Sequence, residues 1–169
     1  MSKACGHRST NWLKGAEGSS ATEFALVLPL LLLLLVAFFE VGRLLWSYNV
    51  VSSSVRDASR YAARLSMTCA GFANGGDMAI VQRLARTGTV DAGGTPVLPD
   101  WTVDGSVQVT FGCVNNASSA YLGLYDGMTQ IPTVTVFATA PYSAGMSRYL
   151  PGFTFTQIKA RHSQVWTQQ

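Results

Sequence analysis

Charge is scarce in this sequence: Lys, Arg, Asp and Glu together make up 12% of 169 residues. The twelve basic side chains outnumber the nine acidic ones by three, but Lys3, Arg8 and Lys14 all fall within the first eighteen residues, against Glu17 alone. Nine basic and eight acidic groups remain beyond Gly18. No cluster of Lys or Arg interleaved with aromatics follows, so the chain lacks the footprint of nucleic-acid binding. Cysteine and histidine are also sparse, at three and two. They show no C-x-x-C and no paired His, so no metal and no other cofactor is expected. There is no Gly-x-Ser-x-Gly elbow, and nothing sets a nucleophile beside a base. His162, inside a strand pattern, therefore reads as structural, and no enzyme is expected.

What the sequence does have is one long apolar run. Residues 24–39, FALVLPLLLLLLVAFF, carry no charge and as a helix span roughly 24 Å, somewhat short of a hydrocarbon core of roughly 30 Å. Flanking Ala21, Val41 and Leu44 extend it, giving a transmembrane helix over residues 19–42 with the lipid bilayer as its partner. The basic residues ahead of it predict a cytoplasmic N-terminus and a periplasmic or external body. A cleaved secretory signal is the competitor, but Phe38-Phe39-Glu40-Val41-Gly42-Arg43 offers no small-residue A-x-A site. Pro29 inside the run predicts a kink and one freed carbonyl. Beyond Glu40, apolar positions recur every three or four residues from Val41 to Leu65, an amphipathic continuation over residues 43–66. Arg56, Arg60 and Arg64 make a ladder on another face, read as solvated in preference to a specific anion site.

Glu23 is the anomaly of this stretch. A carboxylate costs about 2.5 kcal/mol or more at the bilayer centre and less near the interface, and such groups usually have a partner. Cleavage after Gly18 would create one, the new amino group of Ser19, which in a stack of subunits neutralises Glu23 of a neighbour. Gly18, four intervening residues, Glu23 and the aromatic Phe24, preceded by a basic head and followed by an uninterrupted apolar helix, resemble the class III signal of type IV pilins. EGSSATEFALVLPLLLLLLVAFFEVGRLLWSYNVVSSSVRDASRYAAR resembles more particularly the TadE-like minor pilins, or pseudopilins, of the tight-adherence (Tad, Flp, type IVc) pilus. Pro29, Glu40 and the arginine-rich end of the helix are shared features.

The resemblance implies removal of a leader over residues 1–18 by a prepilin peptidase. It also implies partners: the major pilin, other Tad pseudopilins, and an ATPase-driven assembly platform in the bacterial inner membrane. The function it implies is to initiate or support assembly of an adhesive pilus. The competing reading is an unprocessed, signal-anchored periplasmic or cell-surface interaction protein in which Glu23 snorkels to the headgroups.

Residues 67–169 are expected to form the distal α+β domain. The glycines after Cys69 end the long helix. Asp77 is expected to cap a short helix, Met78 to Thr87, that Gly88 closes and that packs back on the long one. Strands are expected from Trp101, with a turn or bulge at Asp104-Gly105, and over residues 133–142 and 153–166. Between Cys113 and Gly127 an Asn- and Ser-rich excursion reads as exposed. Tyr121, Tyr125, Tyr142 and Tyr149 are read as core or rim in preference to an adhesive surface. Cys5 lies in the polar head. Cys69 and Cys113, beyond the membrane segment, are either one disulfide formed in an oxidising compartment or two buried thiols. The fold class is thus α+β: a long N-terminal transmembrane and amphipathic helix packed by a small antiparallel sheet.

Overall fold

A computed structural model describes residues 16–118, 120, 121, 123–145 and 155–167. Lys3, Cys5, Arg8, Lys14, Ser119, Tyr149, Pro151 and Phe153 lie outside the described residues. The chain divides into two units between Phe39 and Glu40. In the first, helix α1 (Ala16–Ala62) begins, and it continues through Pro29 as one helical element. Every side chain from Ser20 through Val36 is exposed.

The second unit is built on the remainder of α1, a short helix α2 (Asp77–Thr87) and five strands. Strands β1 (Met67–Thr68) and β2 (Gly71–Phe72) form a minimal hairpin. Strands β3 (Val107–Asn115), β4 (Gln130–Pro141) and β5 (Gln157–Val165) form an antiparallel sheet in that order. The sheet follows from strict alternation: Val134, Val136, Ala138 and Ala140 of β4 are buried, while Thr133, Thr135, Phe137 and Thr139 between them are half-buried on the other face. Val51, Val55, Ala58 and Ala62, three or four residues apart on α1, join them in one core with Val107, Ile158 and Ala160. Burying each Val is worth roughly 1.5–3 kcal/mol, and the alanines let helix and sheet approach closely.

The structure corrects several expectations. The helix ends at Ala62, short of residue 66, because Arg64 N and Leu65 N bond back only three residues, to Tyr61 O and Ala62 O (both 3.1 Å), and the chain then enters β1. Gly76, not Asp77, is the N-cap, and it makes no side-chain bond; Asp77 is the first helical residue. Gly88 does close α2, with φ 73° and its N–H on Leu84 O. In α2, Val81 and Ala85 enter the common core, and Gln82 Nε2 donates to Val107 O at 3.0 Å, so the helix lies along β3. The first long strand, β3, starts at Val107 rather than at Trp101. Residues 104–106 form a single 3-10 turn, and Trp101 is fully buried, its indole N–H on Ser106 Oγ at 2.7 Å.

The excursion after Cys113 is also not simply exposed. Strand β3 runs on to Asn115, and Asn116 is 3% accessible. Its Nδ2 donates to the carbonyls of Tyr121, Tyr125 and Met128 at 3.1–3.2 Å, and its Oδ1 accepts from Tyr121 N–H at 2.9 Å. One amide thus replaces the ladder that a loop lacks. Asn116→Ala leaves these groups without a protein partner and is expected to destabilise by about 1–3 kcal/mol. Chemical denaturation of the detergent-solubilised full chain checks this, and a change below about 0.5 kcal/mol would show that water takes the side chain's place.

Candidate functional site

Two chemically distinct stretches of α1 define the candidate site. From Phe24 to Phe39 the side chains are apolar and, among the described residues, all but the half-buried Ala37 are exposed: Leu26 is 81% and Phe38 is 78% accessible. Such a surface gains on the order of 1.5–3 kcal/mol per large side chain on leaving water, so it requires lipid or other helices around it. The helix is long and apolar enough to cross a membrane. Gly18 and Ser19 lie in its first turn, and Glu23 follows Ser19 by four residues, a rise of about 6 Å. Phe24, next to Glu23, is 60% accessible.

The second stretch starts where the apolar run stops. Arg43 Nη2 donates to Glu40 Oε1 at 3.1 Å and also to the carbonyl of Ser143. The Tyr142 hydroxyl donates to the same Glu40 oxygen at 2.8 Å, and the Arg43 guanidinium stands 5.1 Å from the Tyr142 ring centroid. A Cβ at Gly145 would sit 3.3 Å from Glu40 Oε2, a tight approach for which glycine leaves room. Burial first, then the bond to Glu40, raises the Tyr142 phenol above its ordinary value, so its hydroxyl stays a donor at neutral pH. The end of β4 is thereby fastened to the first turn of α1 beyond the apolar run. Sequence reasoning took Glu40 only as the residue that closes that run. The available signal was Arg43 three residues on, the spacing of a helical ion pair.

At the far end of the same helix segment, Cys69 and Cys113 are joined, with Cα atoms 5.4 Å apart, so the β1–β2 hairpin is tied to β3. Beside them Phe72 and Phe111 meet edge to face at 4.8 Å. The structure also overturns the expectation that no nucleophile sits beside a base: Ser59 Oγ lies 2.7 Å from His162 Nδ1. Ser59 Oγ also lies 2.8 Å from Arg56 O, so the hydroxyl is within bonding distance of its own helix and of the imidazole at once. With 0% of its surface accessible, the hydroxyl meets no substrate. The pair is a satisfied polar contact that links α1 to β5.

These features define a class: an α+β protein whose N-terminal helix has the length and composition of a membrane anchor. Residues 18–60 match the family model described as TadE-like protein. Over that segment, 43 of 169 residues, the chain is similar to TadE-like proteins. The match begins at Gly18 and takes in Glu23, Phe24, Glu40 and Arg43; the cysteines and the sheet lie beyond it. No curated protein and no solved structure matches the chain.

Proposed function

We propose that this protein is a minor pilin, or pseudopilin, that initiates or supports assembly of a Tad pilus used in surface adhesion. The observation that carries the reading is the TadE-like match starting at Gly18, on a helix whose apolar run from Phe24 to Phe39 is largely exposed. In this proposal a prepilin peptidase cuts between Gly18 and Ser19. The mature chain stays in the inner membrane with its second unit in the periplasm, until the assembly platform moves it among the major pilin and other pseudopilins. Glu23 takes the Ser19 amine of an adjacent subunit, and Phe24 packs beside that pair. The mechanism is mechanical: lateral packing of apolar helices, with charge pairing that sets their register.

One observation favours the competing reading of an uncut anchored interaction protein. Helix α1 begins at Ala16, so the Gly18–Ser19 bond is helical and must unwind before a protease can take it. Gly18 weakens the helix there by roughly 1 kcal/mol, a modest barrier. Intact mass of the membrane-extracted chain, with and without the peptidase, distinguishes the two. We expect a chain beginning at Ser19 only in the presence of the peptidase; a full-length chain in both cells would establish the anchor instead.

A further inference from the structure

Beside the Glu40–Arg43–Tyr142 contact lies a cleft of about 230 Å³, walled by Arg43 and Trp46 of α1, the loop Leu98-Pro99-Asp100, and Tyr142-Ser143. Its walls are held firmly. Leu98 and Trp101 are buried on either side of Pro99-Asp100, and Trp101 N–H bonds to Leu98 O at 3.0 Å. Ser143 stands between two opposite charges: its carbonyl accepts from Arg43, and its hydroxyl donates to Asp100 Oδ2 at 3.2 Å. Trp46, 57% accessible, lies along the opening. The guanidinium of Arg43 carries five N–H donors, and its bonds to Glu40 and Ser143 both leave from Nη2, so the group has more donors than these two acceptors use.

Position decides what that acceptor is. Arg43 and Trp46 stand one and four residues beyond the membrane-spanning stretch read over residues 19–42, or about 1.5 and 6 Å along the helix. The headgroup layer on each side of a bilayer is roughly 5–8 Å deep, so the guanidinium and the indole both fall within it, where Trp is favoured. A cation at that level with a carboxylate held one serine away matches a ligand carrying phosphate and ammonium in one short unit.

We propose that this cleft binds the headgroup of a zwitterionic aminophospholipid, phosphoethanolamine in class. The Arg43 guanidinium takes the phosphate, Asp100 takes the primary ammonium, and Trp46 covers the glycerol. The site rests on the reading of α1 as a membrane anchor, and it gives the second unit a lipid contact separate from the apolar helix. The Arg43–Glu40 ion pair does not engage the charge of Asp100, whereas the zwitterion uses both charges.

Native mass spectrometry of the full chain released from nanodiscs with equal phosphatidylethanolamine and phosphatidylglycerol tests this. Vesicle flotation in parallel reports anchoring. The wild-type chain is expected to retain phosphatidylethanolamine over phosphatidylglycerol by about fivefold, the size of a partly exposed ion pair. Asp100→Asn is expected to abolish that preference while flotation is unchanged. Arg43→Gln is expected to lose both adducts. Equal retention of the two lipids by the wild-type chain, or a preference that survives Asp100→Asn, would overturn the site while flotation still upheld the anchor. A wild-type chain that fails to float would instead refute the anchor reading and the site with it.

Discussion

A chain carrying Cys69→Ser together with Cys113→Ser is expected to lose about 4 kcal/mol of stability. The bridge closes a loop with a sequence separation of 44 residues, and the chain-entropy relation gives about 4 kcal/mol for a loop of that length. What lies inside the loop explains why the loss should be felt throughout the second unit. Strand β2, α2, the buried Trp101 and the first six residues of β3 fall between the two cysteines. Without the tie, the Phe72–Phe111 contact and shared core packing hold the hairpin to β3, and an aromatic pair adds only about 0.5–1.5 kcal/mol beyond its buried area. For a unit of this size the loss corresponds to a fall in melting temperature on the order of 10–15 °C. Thermal unfolding of the full chain in detergent, oxidised, reduced and doubly substituted, measures it. The reduced wild-type chain and the double variant should melt together and well below the oxidised chain. Three coincident transitions would show that the bridge adds nothing. The same number makes the compartment matter, since a stabilisation of this size exists only where the bond persists, beyond the reducing cytoplasm.

The parts of the fold that were legible in the sequence are those governed by a single period. The Leu run of α1, the three- and four-residue spacing from Val51 to Ala62, and the alternation of β4 each follow one rule, and the structure follows them. Gly88 was equally legible, because only a left-handed residue ends a helix that way. Elements fixed by a single long-range bond were not. Trp101-Thr102-Val103 alternates like a strand, but Trp101 lies in a turn because its ring is needed in the core and its indole N–H finds Ser106. The Asn- and Ser-rich stretch after Cys113 has the composition of an exposed loop, and nothing local reveals that Asn116 turns inward to organise it. At the candidate site the chemistry-bearing residues of the amino-terminal segment were visible as a pattern. The fastening of Glu40 and Arg43 to Tyr142 was not, since those residues are about a hundred positions apart.

Replacing Glu23 by Gln should abolish incorporation into filaments and leave the chain in the membrane. Two unit charges 4 Å apart interact by about 4 kcal/mol at an effective dielectric near 20, and a bilayer edge is less polar than that. The cost of withdrawing both groups from water removes much of this gain, but even about 1.4 kcal/mol per interface is a tenfold change in an equilibrium. In a filament that factor applies at each junction. The substitution keeps the side chain's size and its hydrogen-bonding ends, so packing around Phe24, already 60% accessible in the isolated chain, changes little. Membrane retention should be unaffected, or slightly better, because a neutral amide is easier to place at the edge of the lipid than a carboxylate. Glu23→Asp should give intermediate assembly, since it keeps the charge but shortens its reach. Pili sheared from cells and counted against the chain remaining in the membrane fraction supply the measurement. If Glu23→Gln yields wild-type numbers of pili containing this chain, the charge pair is not what sets the register. Lateral packing of the apolar helix would then have to supply the specificity alone, a weak device when lipid chains solvate leucine as well as another leucine does.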